Sequence, residues 1–396
     1  MQSDPTRICS TAINGLIELQ PTNPENLIRD WDDLRVDGRS PDMDANEPPE
    51  CRRTAWRDPV RHGLPLRRSR SGRSRQLTTR NRMAIAPKGS LRHRLKNVDW
   101  VYRLYGDLDL FRKHGSLRPT KAKILGSSNV LFADPTEPRG RGLLRDSCAG
   151  QPEVKAMWMR ILDHVSPDIV LDVGVNYGEF LFMPTYAPGT RIYGVEAAPA
   201  LEPFLRKSRE HHPNREQIEL VFAAAGPTHG GTLVFHVDPG SSGKSSVVVE
   251  SEGGESIDVE VPCISIDGLL APVLTGGRDT STADERIRPV LAFKIDVESY
   301  EEEVLSGMTK TLDACDAVGL IEFDPPRLLS LGRSPDGFLD RLRQHFSVWA
   351  LQRGTAPRPI RTRADLVDPD DVADLVLVGS QELGQKLGLT SEDDRR

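Results

Sequence analysis

The residues best suited to chemistry stand where two apolar segments of the chain end. Asp172, Gly174 and Gly178 lie in Leu171-Asp-Val-Gly-Val-Asn-Tyr-Gly, at the end of the first segment. The loop after such a strand is where open α/β sheets bind ligands, and glycine there lets the backbone turn sharply and approach a ligand. Glu196 ends the next apolar segment, where a carboxylate can accept both hydroxyls of a ribose. Together these residues predict a loop that binds a nucleoside.

The loop differs from the phosphate-binding loops of nucleotide enzymes. A dinucleotide fold needs G-x-G-x-x-G, whose second glycine makes room for a pyrophosphate. Asn176 occupies that position here, and no Walker A pattern occurs in the chain. The loop therefore presents polar side chains, which suit a ligand that carries an amino acid and a sulfonium cation. We expect a helix to begin directly after Gly178.

A second pair of acidic residues follows the apolar run Val290–Ile295. Asp296 and Glu298 are predicted to lie beside the same crevice, where they are candidates for orienting a substrate or for general base catalysis. Positions two apart along a strand face the same side, so the two residues could act jointly. The alternative is that Asp296 lines the ligand pocket and Glu298 caps a helix over residues 301–305.

The pattern of apolar runs predicts the scaffold that positions these residues. Runs without polar alternation suit strands buried on both faces, so we expect an open, mostly parallel seven-stranded sheet with helices on both faces. The predicted strands are Ile169–Val173, Arg191–Val195, Ile218–Phe222, Val290–Ile295, Ala317–Phe323, Ser347–Leu351 and Asp374–Val378. An amphipathic helix is expected over Glu153–Val165. The stretch Thr232–Val261 breaks the rhythm and predicts a small antiparallel insertion.

Composition divides the rest of the 396-residue chain. Residues 1–85 are rich in Arg and Pro and predict a disordered extension, and Met83 is an alternative start of translation. Residues 86–150 predict a helical leader at Leu91–Leu117 and a surface linker at Pro119–Gly150. The main domain is expected over 151–382, followed by a polar tail over 383–396.

Cysteine usage and hydropathy exclude several classes of protein. The five cysteines are scattered and form no C-x-x-C pair, so neither a disulfide framework nor a zinc site is predicted, and we assign no metal ligands. No apolar stretch is long enough to cross a bilayer, and the N-terminus lacks the pattern of a secretory signal. We expect a soluble protein of the reducing cytoplasm.

The motifs resemble one known family. From about Ile169 to Glu322 the sequence is similar to the FkbM family of methyltransferases, within the Rossmann-like class I enzymes that use S-adenosylmethionine. The similarity is carried by the glycine loop, Gly194-Val-Glu-Ala-Ala-Pro, Gly243-Lys-Ser-Ser, Val261-Pro-Cys-Ile-Ser-Ile-Asp-Gly-Leu, Phe293-Lys-Ile-Asp-Val-Glu-Ser-Tyr-Glu and Leu320-Ile-Glu-Phe. It implies transfer of a methyl group to an oxygen of a sugar, a natural product or a glycolipid.

The resemblance completes the predicted site. S-adenosylmethionine is the expected methyl donor, Asp296 and Glu298 are the catalytic candidates, and a small molecule is the expected acceptor. The predicted donor-binding residues are Asp172, Gly174, Val175, Asn176, Gly178, Glu196 and Ala197. Ser299 departs from the family pattern, which has glycine there; if φ is positive at this position, serine costs ~1 kcal/mol.

The sequence gives weaker support for a functional role of several other polar residues. Ser245 and Ser246 are similar to residues that border the family's active site, whereas His236 and Asp267 are expected to be structural, Asp267 as a helix cap. The loop Asp324-Pro-Pro-Arg lacks the aromatic residue that enzymes methylating the amines of bases carry.

Two alternative functions stay open. The arginine-rich segment 52–82 could supply phosphate contacts in an RNA methyltransferase or a nucleic-acid-binding protein, although the core shows no cluster of base-stacking aromatics. A methyltransferase-like fold that has lost catalysis is the other alternative. The sequence does not determine the acceptor or the oligomeric state.

Overall fold

The computed structural model describes residues 99–390, except 239–240, 249–255, 277–287 and 353–354. The extension expected to be disordered, the alternative start at Met83 and the arginine-rich segment lie outside the described residues. No helix of the described part has the length and apolarity needed to span a membrane.

The region before the main domain is more structured than its composition predicts. It contains helix α1 (Asp99–His114), a hairpin of β1 (Lys121–Lys123) and β2 (Val130–Phe132), and helix α2 (Pro138–Asp146). The predicted leader helix is confirmed, but the prediction of a surface linker over Pro119–Gly150 is wrong. Side chains from each of these elements are buried in the core. A strand of three residues is too short to show the alternation of apolar and polar side chains by which strands are predicted, and this segment is also rich in glycine and proline.

The main domain follows in regular order. Its strands are β3 (Ile169–Val173), β4 (Arg191–Glu196), β5 (Ile218–Phe222), β6 (Ala224–Ala225), β7 (Thr232–Val237), β8 (Ile257–Ile264), β9 (Val290–Ile295), β10 (Asp316–Phe323), β11 (Ser347–Gln352), β12 (Thr355–Pro359) and β13 (Ala373–Val378). Its helices are α3 (Pro152–Val165), α4 (Glu202–Glu210), α5 (Ile266–Gly276), α6 (Glu301–Ser306), α7 (Thr309–Ala314), α8 (Pro325–Ser330), α9 (Pro335–Leu342) and α10 (Gln381–Lys386).

The central sheet has eight strands in the order β12-β11-β13-β10-β9-β3-β4-β5. Strands β12 and β13 run opposite to the other six. The run β5-β4-β3-β9-β10 reproduces the order of a doubly wound fold, in which the first strand lies at the switch point. All seven predicted strands are confirmed. The eighth, β12, was not predicted because two of its five residues are proline, which a sheet tolerates only at its edge.

Helices cover both faces of the sheet, as predicted. On one face α3, whose Trp158 and Ile161 are fully buried, packs together with the leader, α4 and α10. On the other face α5, α6, α7, α8 and α9 cover the alternate residues of the same strands. The ordered chain continues past the expected boundary at residue 382, because Leu387 and Leu389 are buried against the first face.

The connection between β3 and β4 has no helix, so the prediction of a helix after Gly178 is wrong. Residues 174–190 form turns, and most of their side chains are buried. Pro184 and Pro188 interrupt a segment that is already short, and proline supplies no N–H to a helix. Side chains satisfy the backbone instead: Trp158 Nε1 donates to the carbonyl of Phe180 at 3.2 Å, and Asn129 Nδ2 donates to the carbonyl of Phe182 at 3.1 Å.

The predicted antiparallel insertion is confirmed. Strands β7 and β8 pair in antiparallel register from Thr232↔Pro262 to Val237↔Ile257, and β6 joins β8 in parallel. Between β7 and β8 the described chain adds one isolated bridge, His236↔Ser246, rather than a third long strand. The insertion stands beside the carboxyl ends of the parallel strands, where it forms one wall of the main cavity.

Candidate active site

The main cavity opens at the carboxyl ends of β3, β4, β9 and β10. Its volume is about 440 Å³, within the range of ~300–1,000 Å³ that is typical of small-molecule sites. The loops after these strands form its floor, and the insertion contributes Phe235 and Ser245. Arg139 of α2 also lines the cavity, so the leader contributes to its wall. The crevice is where a doubly wound sheet binds ligands.

The two loops that carry the predicted residues are in direct contact. Gly174 has φ +80°, and a Cβ at this position would collide with the carbonyl oxygen of Asp296. The N–H of Gly174 donates to the carbonyl of Val195 at 2.9 Å, which ties the loop to β4 as well. Glycine is therefore required both by the backbone angle and by the lack of space. This residue lines the cavity.

Gly178 and Val175, unlike Gly174, have contacts that point to a structural role. Gly178 has φ +89°, and a Cβ there would collide with the ring of Phe182. The N–H of Val175 donates to the carbonyl of Val195 at 3.2 Å, and its side chain is buried in the core. Neither residue is among those that line the cavity. They shape the loop that presents Gly174 and Asn176.

Glu196 stands at the cavity and also holds the glycine loop. Its Oε2 accepts the N–H of Asn176 and its Oε1 accepts the N–H of Ala198, both at 2.7 Å. Burial raises the pKa of this carboxyl, and the backbone hydrogen bonds act in the opposite direction. Asn176 and Ala197 line the cavity next to it. The predicted ribose acceptor is thus in a suitable place, already oriented by backbone donors.

Asp172 lies below the cavity. Its side chain is fully buried, and neither carboxylate oxygen has a hydrogen-bond partner among the described residues. Burial raises the pKa of Asp172 to about 7. It pairs in register with Lys294 of β9, so both residues project from the same face of the sheet. Asp172 is not among the residues that line the cavity, so its place among the donor-binding residues stays a prediction.

Lys294 is a buried cation that sequence analysis missed. Its Nζ lies 2.9 Å from Oδ2 of Asp296 and 4.7 Å from the centroid of the Phe180 ring. Burial lowers the pKa of Lys294, but the charges of Asp296 and Asp172 outweigh this effect and raise it above its ordinary value. A lysine inside the apolar run Val290–Ile295 was the available signal, since an isolated charge is rarely buried without a partner.

A row of carboxylates crosses the sheet at its carboxyl edge. The row consists of one carboxylate each from β4, the end of β9, β10 and β13: Glu196, Asp296, Glu322 and Asp374. Asp374 lies near the start of β13, which is antiparallel to β10, so it pairs directly with Glu322. Burial, with the nearby charge of Asp296, raises the pKa of Glu322 to about 9 and that of Asp374 to about 6. Glu322, within Leu320-Ile-Glu-Phe, lines the cavity and had no predicted role.

Glu298 and Ser299 have left-handed backbone angles, with φ +57° and +73°. Glu298 lines the cavity and forms an ion pair with Arg327 at 3.3 Å. It does not cap α6: the carboxylate of Glu301 accepts the N–H groups of Val297 and Ser299 instead, each at 3.1 Å. The capping alternative for Glu298 is therefore wrong, while Asp296 lines the cavity as both interpretations required.

The charge state of Glu298 is unusual for a carboxyl group. Burial, followed by the charge of Asp296, raises its pKa to about 7. Asp296, Glu298 and Glu322 each offer an oxygen within 4.8 Å of the others. This spacing would also accept a divalent cation, but no other feature of the described residues indicates an ion, and we assign no metal.

The weaker candidates divide between the cavity and the scaffold. Ser245 lines the cavity, and Ser246 Oγ donates to the carbonyl of Glu298 at 2.7 Å. His236 pairs with Asp258 at 2.7 Å on the insertion, away from the cavity. Asp267 is a cap as expected, but its carboxylate accepts N–H groups at the start of α7 rather than of its own helix.

The sequence matches one family model. Residues 172–345 match the methyltransferase FkbM domain. This segment is an FkbM-family methyltransferase domain. It includes the glycine loop, Glu196 and the carboxylates that follow β9 and β10, so the cavity belongs to the methyltransferase. No protein among the curated sequences matches the chain.

Solved structures of methyltransferases are similar at low identity. Methyltransferase FkbM from Methylobacillus flagellatus KT is 14% identical, with a TM-score of 0.31; the match covers 70% of this chain and 60% of that one. The O-methyltransferase TomG from Streptomyces achromogenes, involved in tomaymycin synthesis, is 12% identical, with a TM-score of 0.30 and coverage of 59% and 82%. An O-methyltransferase from Bacillus cereus is 12% identical, with a TM-score of 0.29 and coverage of 58% and 82%.

Replacing Ser299 with glycine should stabilise the protein. The positive φ of Ser299 costs a residue with a Cβ ~1–2 kcal/mol, whereas the added freedom of glycine in the unfolded chain offsets ~0.4–1 kcal/mol. We expect Ser299→Gly to raise the free energy of unfolding in urea by ~0.5–1 kcal/mol. Ser299→Val should lower it, because a β-branched side chain tolerates positive φ least. A loss of stability in the glycine variant would contradict this account.

The protein should lose stability as the pH rises from about 5 to about 8. The folded chain keeps the proton on Glu298 up to a pH of about 7 and on Glu322 up to about 9, whereas the unfolded chain, with an ordinary pKa of 4.5, releases both at lower pH. Stability falls with pH wherever the native state binds more protons.

Glu322→Gln should make the protein more stable than wild type at pH 8 and flatten the pH dependence of unfolding. Glu216→Gln, at a side chain 84% exposed, is the matched control and should leave the profile unchanged. A wild-type profile that rises toward pH 8 would show that these carboxyls are not protonated in the folded state.

Proposed function

We propose that the chain transfers a methyl group from S-adenosylmethionine to a hydroxyl oxygen of a sugar, natural-product or glycolipid acceptor. The observation that carries this proposal is the cavity itself. It combines a glycine loop, a carboxylate at the end of the second strand and a group of acidic residues within a methyltransferase domain.

The donor fits the residues present. Glu196 offers a carboxylate at the position of the ribose hydroxyls, and Gly174 leaves the backbone open beside the methionine portion. Asp296, Glu298 and Glu322 surround the part of the cavity that a sulfonium cation would enter, and opposite charge favours their ionised forms. When bound, S-adenosylmethionine supplies an activated methyl group, so the protein needs mainly to align the acceptor oxygen with it.

The carboxylates have different tasks in this proposal. Asp296 is paired with the Lys294 ammonium, and its carboxylate oxygens can accept a hydrogen bond from the acceptor hydroxyl. Glu298, with a pKa of about 7, can take the hydroxyl proton at neutral pH, since a general base works best when its pKa is near the working pH. The pair therefore separates orientation from proton removal.

The acidic lining argues against a nucleic-acid substrate. The residues that line the cavity include Glu196, Asp296, Glu298 and Glu322, which would repel the phosphates of RNA. The arginine-rich segment on which that alternative depends lies outside the described residues. A neutral or cationic polyol suits the electrostatics of this cavity better.

Calorimetric titration tests the donor. The wild-type protein should bind both S-adenosylmethionine and S-adenosylhomocysteine, and Glu196→Gln should weaken both by about tenfold or more, because charged hydrogen bonds contribute ~1.5–3 kcal/mol. Glu219→Gln, on the exposed side of neighbouring β5, is the control and should bind as wild type. Absence of binding to the wild-type protein would refute the proposal.

Methyl transfer from labelled S-adenosylmethionine to a panel of glycosides and polyketide alcohols tests the catalytic roles. Glu298→Gln should lower turnover by ~10²–10⁴-fold while donor affinity changes little, and Asp296→Asn should raise the KM for the acceptor. The wild-type rate should increase with pH through about 7, because Glu298 must lose its proton to act as a base. Unchanged turnover in both variants, or methylation of nitrogen, would contradict the proposal.

A further inference from the structure

Arg139 is the cationic residue of the cavity. It lies in the first turn of α2, before the matched methyltransferase segment, and its side chain lines the cavity beside Ser242 and Gly243. Among the lining residues that the structure describes, it alone carries a positive charge. Four lining residues are acidic: Glu196, Asp296, Glu298 and Glu322. Among the described lining residues, Arg139 is thus the one that could attract a carboxylate by charge.

The backbone of Arg139 is held in place by a single carboxylate. Glu137 Oε1 accepts the N–H of Arg139 at 3.0 Å and that of Ser242 at 3.0 Å. Its Oε2 accepts the N–H of Gly140 at 2.6 Å and the hydroxyl of Tyr177 at 3.1 Å. Glu137 thus joins α2 to the glycine loop and to the insertion. The position of Arg139 at the cavity follows from these bonds.

The guanidinium of Arg139 carries more N–H donors than its ion pair with Glu179 uses. One Nη2 group pairs with Oε1 of Glu179, a side chain that is almost fully buried next to the glycine loop. A guanidinium carries five N–H donors in a planar fork, so it can keep this pair and donate to a second carboxylate. The side chain is 37% exposed, which leaves that fork accessible from the cavity.

We propose that Arg139 binds the α-carboxylate of the methionine portion of the methyl donor. This inference rests on the proposed use of S-adenosylmethionine, whose amino acid portion would lie along the glycine loop while the ribose lies at Glu196. The donor site then includes a residue of the leader, about thirty residues before the glycine loop. Planar guanidinium–carboxylate pairing gives both charge neutralisation and orientation.

The test compares ligands with and without the carboxylate. Calorimetric titration of Arg139→Gln should show about ten- to hundredfold weaker binding of S-adenosylmethionine and S-adenosylhomocysteine. Binding of 5′-methylthioadenosine, which lacks the amino acid portion, should stay within about twofold of wild type. Arg141→Gln is the matched control, since Arg141 lies in the same helix, pairs with Asp107 and does not line the cavity.

Loss of Arg139 leaves Glu179 without its partner, so a double variant protects the test against misfolding. Arg139→Gln with Glu179→Gln removes both charges and should show the same selective loss. Wild-type affinity for S-adenosylmethionine in either variant overturns the proposal, and so does an equal loss for all three ligands, which would make Arg139 only a support of the cavity wall. Failure of the wild-type protein to bind any of the three contradicts the use of this donor instead.

Discussion

The buried ammonium of Lys294 is the interaction on which the acidic edge of the sheet depends. It contacts Asp296, shares its face with Asp172 and lies over the ring of Phe180. Burying a carboxylate without a compensating charge is costly, because desolvation disfavours its ionised form. Lys294 supplies such a charge at the centre of the row. Its charge opposes the burial that raises the pKa of Asp172.

Neighbouring carboxyls along this edge have different surroundings. Asp296 is in direct contact with Lys294, whereas Glu298 and Glu322 stand further along the crevice, where burial and the charge of Asp296 raise their pKa values to about 7 and about 9. The end of β9 therefore offers a carboxylate paired with an ammonium beside a group that exchanges its proton near neutral pH. Such a pair of environments is a common basis for assigning acid and base roles. The difference arises from the burial and the charged neighbours of each group, not from the residue types.

Local sequence pattern was sufficient for seven of the eight strands of the sheet and for the position of the glycine loop. The strands are buried on both faces, so their apolar runs are uninterrupted, and the position of Gly174 follows from a turn that no other residue can make. The positive φ considered for Ser299 is also present. The prediction of a helix between β3 and β4 was wrong because the backbone carbonyls of this segment accept hydrogen bonds from distant side chains such as Trp158 and Asn129. The spacing of apolar residues along the chain does not reveal hydrogen bonds to residues so distant in sequence.

The walls of the cavity were harder to predict than its floor, and the reason is again physical. The floor is made where parallel strands end, and strand periodicity locates those ends. The walls come from α2 and the insertion, which are joined to the floor by contacts such as the hydrogen bonds that Glu137 accepts from Arg139, Ser242 and Tyr177. A capping glutamate gives no local sign of such contacts. Because the sheet edge together with Arg139 provides the donor half of the proposed site, selection among acceptors must depend mainly on the rest of these walls, where no strand periodicity constrains the chain.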